Sequence, residues 1–85
     1  MQISGVAKVA STADGKTVLE IAGRPAFEMN RVALSIWNKL AAGHSPEEIS
    51  PQIAAEFSAP AEVAARDVKK FISKLKDNLL VYDEN

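Results

Sequence analysis

The chain lacks cysteine, carries a single histidine and contains no long hydrophobic run. Without cysteine it can form no disulfide, no thiolate metal site and no cysteine nucleophile. No apolar segment approaches the roughly 18 residues that a membrane-spanning helix needs, and the N-terminus lacks the pattern of a signal peptide. The net charge of −1 provides no general attraction to nucleic acid or to an anionic membrane. We therefore expect a cytoplasmic protein without membrane contact.

The 85 residues suffice for one domain with one modest core, and the hydrophobic content of 47% is ordinary for a globular chain. We expect a single domain over residues 1–85. The chain ends in the acidic stretch YDEN, and such chain ends are commonly frayed. The sequence therefore predicts a partly frayed tail over residues 79–85.

The N-terminal third predicts three strands. Alternating apolar residues place the first strand over residues 3–10 and the second over residues 17–22, joined by an Asp-Gly hairpin turn. A Gly-Arg-Pro break follows, and then a third short strand over residues 26–29. We favour an orientation in which Phe27 and Met29 point into the core.

Two helix starts carry capping signals. Asn30 is a good N-cap for a first helix over residues 31–42, which Gly43 would end. Ser45 and Glu48 form a capping box at the start of a second helix. Apolar residues recur along the first helix at the spacing of one buried face. This stripe is Ala33, Ile36, Trp37 and Leu40.

Proline and asparagine mark the remaining helix boundaries. Pro51 lies inside the second helix, so that helix either kinks there or breaks and restarts after Ser50. A third helix is predicted over residues 61–77, with Asn78 as its left-handed terminator. The element order predicts an α+β, winged-helix-like fold, in which a three-stranded N-terminal antiparallel sheet precedes three helices (β-β-β-α-α-α).

Few residues could carry out catalysis. His44 is the single histidine and has no second ligand nearby in sequence, so a solvated loop histidine is the simplest interpretation. Glu47 and Glu48 fit the first turn of a helix, where acidic side chains complement the helix dipole. Ser45 and Ser50 precede prolines and have no base at a spacing that would activate them. We expect no enzyme activity from this chain alone, no cofactor and no metal ion.

The third helix is the one locally basic element, with five basic residues against three acidic ones. A solvated helix face explains this pattern as well as a binding surface does. A winged-helix DNA-binding domain would place this helix in the major groove. The interleaved acidic residues and the scarcity of side chains for base readout argue against that alternative. The basic residues are Arg66, Lys69, Lys70, Lys74 and Lys76.

Several short segments follow one another in a characteristic order: Asn30, Ile36-Trp37-Asn38-Lys39-Leu40, Gly43, Ser45-Pro46-Glu47-Glu48-Ile49, Asp67-Val68 through Leu75, and Leu79-Leu80. This ordered set resembles the PqqD-like family, whose members are also described as recognition elements for ribosomally made, post-translationally modified peptides (RiPPs). The resemblance covers nearly the whole chain. Two positions depart from the family pattern: Pro51 within a helix, and Asn78 in place of the usual glycine.

The resemblance implies a non-catalytic adaptor that binds the leader of a precursor peptide. The leader would add as an antiparallel strand to the third strand, and the third helix would cover the other side of the groove. Lys70 and Lys74 would attract acidic or polar leader groups, and Phe71 would form the floor of an apolar pocket. The implied binding residues are Ala26, Phe27, Glu28 and Met29 on the strand and Val63, Asp67, Lys70, Phe71 and Lys74 on the helix.

The implied partners are the precursor peptide and a separate modifying enzyme, such as a radical SAM enzyme, a leader peptidase or a cyclase. Nucleic acid and membranes are not expected partners, and the open strand edge could also bind a second copy of the chain. Two other functions stay open: a winged-helix DNA-binding domain, and a small subunit that scaffolds an enzyme without touching peptide. An alternative helical wall consists of Lys69, Ile72 and Lys76, although Ile72 fits the core better.

Overall fold

The computed structural model describes residues 2–82 of the protein. Five strands and three helices occur within this range. In chain order they are β1 (Gln2–Ile3), β2 (Ala7–Ser11), β3 (Thr17–Ile21), β4 (Arg24–Met29), α1 (Arg31–Ala41), α2 (Pro46–Glu56), α3 (Ala61–Asp77) and β5 (Val81–Tyr82).

β2, β3 and β4 form an antiparallel sheet in that order, so β2 and β4 are its edges among the described strands. The predicted hairpin between the first two long strands is confirmed by the pairing of β2 with β3. A tighter hairpin links β3 to β4, because Ala22 and Gly23 have φ values of 52° and 83°, as a type I′ turn requires. β4 therefore starts at Arg24, earlier than predicted, with Pro25 inside the strand.

β4 contains a bulge close to its start. Leu19 pairs with Phe27 and Glu20 pairs with Pro25, so Ala26 has no partner on β3. Regular pairing with β3 beyond the bulge extends over residues 27–29. The stretch of β4 that could accept a further strand in regular register is therefore short.

The direction of the backbone groups follows from two hydrogen bonds that extend the β2–β3 ladder. Thr12 N–H donates to Lys16 C=O at 2.8 Å, and Ala22 N–H donates to Val6 C=O at 3.0 Å. Both bonds continue the observed β2–β3 register. Because hydrogen-bonded pairs alternate along an antiparallel ladder, even-numbered residues of β3 bond to β2 and odd-numbered residues bond to β4.

This alternation determines which backbone groups face each edge of the sheet. Phe27 and Met29 pair with odd-numbered residues of β3, so their backbone groups are engaged with that strand. The N–H and C=O of Glu28 consequently point toward the outer edge of β4. By the same alternation, the N–H of Val9 points toward the outer edge of β2.

β1 and β5 form a separate antiparallel pair that joins the two ends of the described chain. The strand predicted over residues 3–10 is interrupted at residues 4–6, which separate β1 from β2. Leu80 is fully buried, Val81 is buried, and Ser4 N–H donates to Leu80 C=O at 2.7 Å. Within the tail predicted to be partly frayed, residues 80–82 are therefore held in place by burial and strand pairing. Residues 83–85 lie outside the described residues.

The predicted caps of α1 and α2 are confirmed. The Asn30 side chain accepts from Ala33 N–H at 2.8 Å. Ser45 and Glu48 form the reciprocal capping box, with bonds of 3.3 Å and 2.9 Å. Gly43 follows α1 with φ of 96°, the left-handed conformation that glycine adopts readily after a helix.

One of the two alternatives for α2 is excluded, and the end of α3 differs from the prediction. α2 passes through Pro51 as one helix, so a break and restart after Ser50 does not occur. α3 spans the predicted residues, but the left-handed residue after it is Leu79 (φ 59°) and Asn78 has φ of −97°. The Asn78 side chain instead donates to Lys74 C=O at 2.8 Å, which satisfies a terminal carbonyl of α3.

The core lies between the inner face of the sheet and the three helices. The α+β class, with an antiparallel sheet before three helices, is confirmed. The β1–β5 pair was not predicted, and a winged-helix arrangement is not shown. The buried apolar residues are Leu19, Met29, Ile36, Trp37, Leu40, Ile49, Ile53, Ala64, Val68, Ile72, Leu75, Leu80 and Val81.

Candidate functional site between β4 and α3

A groove of about 420 Å³ lies between β4, the start of α1 and one face of α3; we call it the β4–α3 groove. Its apolar lining residues are buried or half-buried, and its charged lining residues are exposed. The lining residues are Phe27, Glu28, Asn30, Val32, Ala33, Ile36, Asp67, Lys70, Phe71 and Lys74.

Phe27, Phe71 and Lys74 form a cluster where β4 meets α3. The two phenyl rings have centroids 6.2 Å apart and planes at 86°, an edge-to-face contact. Lys74 Nζ lies 4.6 Å from the centroid of the Phe27 ring, within the range of a cation–π interaction. The cluster fixes the position of Phe27 relative to α3 and therefore the width of the groove.

The charged residues of the groove are of both signs. Lys70 and Lys74 lie one turn apart on α3, and Asp67 lies almost one turn before Lys70. Glu28 borders the groove on β4, but its side chain lies on the outer face of the sheet, where Glu28 Oε2 is 3.8 Å from Lys16 Nζ and both side chains are more than half exposed. Such an exposed ion pair contributes about 0–1 kcal/mol. The groove therefore has a mixed charge pattern and does not favour a strongly acidic or basic ligand.

The outer edge of β4 borders this groove, and no strand within residues 2–82 pairs with it. Glu28 presents a backbone donor and an acceptor at this edge, whereas Pro25 has no N–H. At the end of the strand, the C=O of Asn30 accepts from Leu34 N–H at 3.0 Å. An unpaired strand edge beside an apolar groove is a template for an added strand.

Six of the nine binding residues expected from the sequence line the groove, and three do not. Ala26 is exposed at the bulge, Met29 is buried in the core, and Val63 is exposed on the first turn of α3. Met29 points inward as predicted, and Phe27 on the same face is half-buried, packs against the core and also lines the groove. The six lining residues are Phe27, Glu28, Asp67, Lys70, Phe71 and Lys74.

Four lining residues at the start of α1 were not predicted to belong to the site. Sequence periodicity assigns Ala33 and Ile36 to the buried stripe of the helix, but both also border the groove. One signal could have found them: Asn30 caps α1 directly after β4, so the first turn of α1 must lie beside that strand. The four residues are Asn30, Val32, Ala33 and Ile36.

The alternative wall of Lys69, Ile72 and Lys76 lies on another side of α3. These residues line a second cavity, of about 550 Å³, between α2 and α3. Ile72 is 6% exposed and belongs to the core, as expected. The lining of this second cavity comes from α2, its cap and α3, so the cavity offers no strand edge among the described residues.

Polar residues stabilise the start of α2 and the contact between α1 and α2. A bond from the Ser45 backbone N–H is the main reason that the pKa of Glu48 lies below its ordinary value. The Lys39 ammonium, 2.7 Å away, likewise lowers the pKa of Glu56 and links α1 to α2. His44 Nδ1 lies 3.8 Å from Glu48 Oε2.

Neither a metal site nor a membrane-spanning helix occurs within the described range. No group of three or more His, Asp or Glu side chains in residues 2–82 is arranged to hold a metal ion. Among the helices of that range, none has the length and apolar character needed to cross a membrane.

The chain matches the family described as Coenzyme PQQ synthesis protein D (PqqD) over residues 15–81. The chain belongs to the PqqD family. The matched range of this PqqD-family chain includes β3, β4 and α1 to α3, and therefore every lining residue of the β4–α3 groove. No curated protein matches the chain.

Two solved structures resemble this PqqD-family chain over most of its length. One, "TbiB1 in Complex with the TbiA(beta) Leader Peptide", is 30% identical, has a TM-score of 0.79, and is matched over 100% of this chain and 99% of that chain. The other, "Lasso peptide synthetase B1 complexed with the leader peptide", is 27% identical, has a TM-score of 0.73, and is matched over 91% of both chains. Each of these relatives is described in complex with a leader peptide.

Proposed function

We propose that this chain is a peptide-binding adaptor in the biosynthesis of a RiPP. It binds the leader of a ribosomally made precursor peptide as an added antiparallel strand on β4. The leader lies in the β4–α3 groove, and the adaptor presents the precursor to a separate modifying enzyme. Because the precursor is made on ribosomes, this step takes place in the cytoplasm.

The observation that carries this proposal is the position of the unpaired outer edge of β4 directly beside the β4–α3 groove. In strand addition, backbone hydrogen bonds provide affinity, and pockets for alternate side chains provide specificity. The outward N–H and C=O of Glu28 supply the backbone hydrogen bonds. The β4–α3 groove supplies the pockets for alternate side chains. The leader complexes of the two related structures support the same assignment.

The groove residues have distinct roles in this proposal. Phe27 and Phe71 contact apolar side chains of the leader, since their rings already meet across the groove. Lys70 and Lys74 face the polar or acidic groups of the leader, and Asp67 provides a compensating charge on the same helix. The groove therefore favours a leader segment with both apolar and polar side chains over a uniformly charged segment.

The adaptor itself is non-catalytic in this proposal. Its contribution is to raise the effective concentration of the precursor near the enzyme that modifies it. That enzyme is of a class that acts on precursor peptides, such as a radical SAM enzyme, a leader peptidase or a cyclase. A second copy of the chain on the same edge of β4 would compete with the leader.

Fluorescence anisotropy with labelled peptides tests this function. The probes are the leader of a precursor encoded next to this chain's gene, a scrambled version of it, and the TbiA(beta) leader. We expect the neighbouring leader to bind with a micromolar or lower Kd and the scrambled peptide to bind far more weakly. Equal binding of both peptides would overturn the proposal. A steep loss of binding with salt would instead indicate an electrostatic ligand such as nucleic acid.

A further inference from the structure

β4 offers one position at which a guest strand can form a complete backbone pair. Glu28 directs both N–H and C=O to the outer edge, whereas Pro25 lacks an N–H and Ala26 is the unpaired bulge residue. Beyond Glu28, the C=O of Asn30 already accepts from Leu34 N–H. An antiparallel guest strand therefore exchanges two hydrogen bonds with Glu28, and this pair fixes its register.

The register determines where the guest side chains point. Directly opposite residues of antiparallel strands place their side chains on the same face of the sheet. Glu28 shares the solvent face with Val18, its partner on β3, while Phe27 and Met29 lie on the opposite face. The guest residue opposite Glu28 therefore points to solvent, and its two neighbours point into the β4–α3 groove.

The solvent face beside Glu28 has an excess of negative charge. Lys16 Nζ lies 3.8 Å from Glu28 Oε2 and 4.0 Å from Asp14 Oδ2. One lysine is thus shared between two carboxylates, which leaves this group of three side chains with a charge of −1. The Glu28 side chain is 60% exposed, so a guest side chain can reach it.

We infer that Glu28 sets the register of the guest strand and selects a basic side chain at the guest residue that pairs with it. This inference rests on the proposed function and adds a specificity rule to it. The segment that binds carries an apolar–basic–apolar sequence. Its basic residue lies opposite Glu28, and its apolar neighbours lie against Phe27 and Phe71.

Peptide display tests the charge rule and does not require the natural leader. Random twelve-residue peptides are selected on the wild-type chain and, separately, on Glu28→Lys. Wild type should enrich the apolar–basic–apolar pattern, and Glu28→Lys should enrich an acidic residue at the same position. In a selected peptide, changing the basic residue to Glu should raise Kd for wild type by roughly two- to fivefold, the scale of one exposed cross-strand ion pair.

Two substitutions at Glu28 separate its backbone from its charge. Glu28→Gln keeps the N–H and should abolish the charge preference while selected peptides still bind. Glu28→Pro removes the outward N–H and should weaken every selected peptide, whatever its charge. We expect the fold to accept proline at this position, because the lost N–H makes no bond to β3. A circular dichroism spectrum unchanged from wild type confirms that the variant is folded.

The outcomes separate the inference from the proposed function. If wild type enriches no peptide, the proposed function fails. If peptides bind but wild type and Glu28→Lys enrich the same residue, only the charge rule fails. If Glu28→Pro binds selected peptides as tightly as wild type, the register at Glu28 is wrong.

Discussion

Phe27 and Phe71 meet edge to face across the β4–α3 groove, with ring centroids 6.2 Å apart. One ring belongs to the edge strand of the sheet and the other to the middle of α3. The contact connects the outer edge of β4 to α3. The ammonium of Lys74 lies over the Phe27 ring. A guest strand would therefore meet a groove whose width is set in advance, which lowers the entropy lost on binding.

Phe71→Ala should weaken leader binding by about tenfold or more, because it removes an aromatic side chain from the lining of the groove. Anisotropy with a labelled leader measures the change. Val63→Ala is the matched control, since Val63 lies on the same helix but outside the groove lining, and it should change Kd by less than about twofold. A larger loss for Val63→Ala than for Phe71→Ala would place the binding site further toward the start of α3.

Lys74→Glu should also weaken binding, by about two- to fivefold, because it removes the cation over the Phe27 ring and reverses a groove charge. Lys69→Glu makes the same charge change on the side of α3 that borders α2, and it should have little effect. Titrations of both variants at one salt concentration provide the comparison. Equal losses would mean that the total charge of α3 matters and the groove does not.

Local signals made much of the fold predictable. Asn30 and Ser45 cap helices because each side chain accepts from a backbone N–H three residues ahead, a contact encoded within one turn. The edge strand was also predicted, since alternation up to Met29 gives way to a helical period after Asn30. These features depend on residues that are close in sequence, so the spacing of residue types along the chain is enough to predict them.

The features that sequence analysis missed depend on contacts between distant segments. The pairing of Ile3 with Val81 joins the two ends of the chain, and neither two-residue strand has a period of its own. Leu80 is buried because α3 ends with a reversal at Leu79, a residue type that seldom adopts positive φ. Ile36 borders both the core and the groove, and the sequence pattern predicted only its place in the core.

Two adjacent leucines test the ordered C-terminal segment. Leu80 is fully buried and Leu79 is 82% exposed. Leu80→Ala should lower the free energy of unfolding by about 2–5 kcal/mol, because it leaves a cavity in the core. Leu79→Ala should change it by less than about 0.5 kcal/mol. Urea denaturation measures both values, and a small effect of Leu80→Ala would contradict the burial of Leu80 in the core.

Acid should destabilise the fold partly through Glu48 and Glu56. Both carboxylates have a pKa below the ordinary value, through the Ser45 backbone N–H and the Lys39 ammonium respectively. Since the folded-state pKa is lowered, their contribution is present above the unfolded pKa of about 4.3 and is lost as pH falls through the folded pKa. Stability curves from pH 7 to pH 2 should therefore decline less for Glu48→Gln than for wild type.

Glu47→Gln provides the control for that comparison. It removes a charge from the same helical turn and leaves the capping box of Ser45 and Glu48 in place. If Glu47→Gln and Glu48→Gln flatten the pH dependence equally, the effect arises from the general charge of α2. The specific bond from the Ser45 backbone would then not be its cause.

Amide hydrogen exchange at two strand edges tests the central claim most directly. The N–H of Glu28 faces the outer edge of β4 and that of Val9 faces the outer edge of β2. With a bound leader at about ten times its Kd, exchange at Glu28 should slow by about tenfold, while exchange at Val9 stays unchanged. Protection of Val9 without protection of Glu28, or of neither amide while the peptide is bound, would contradict strand addition at β4.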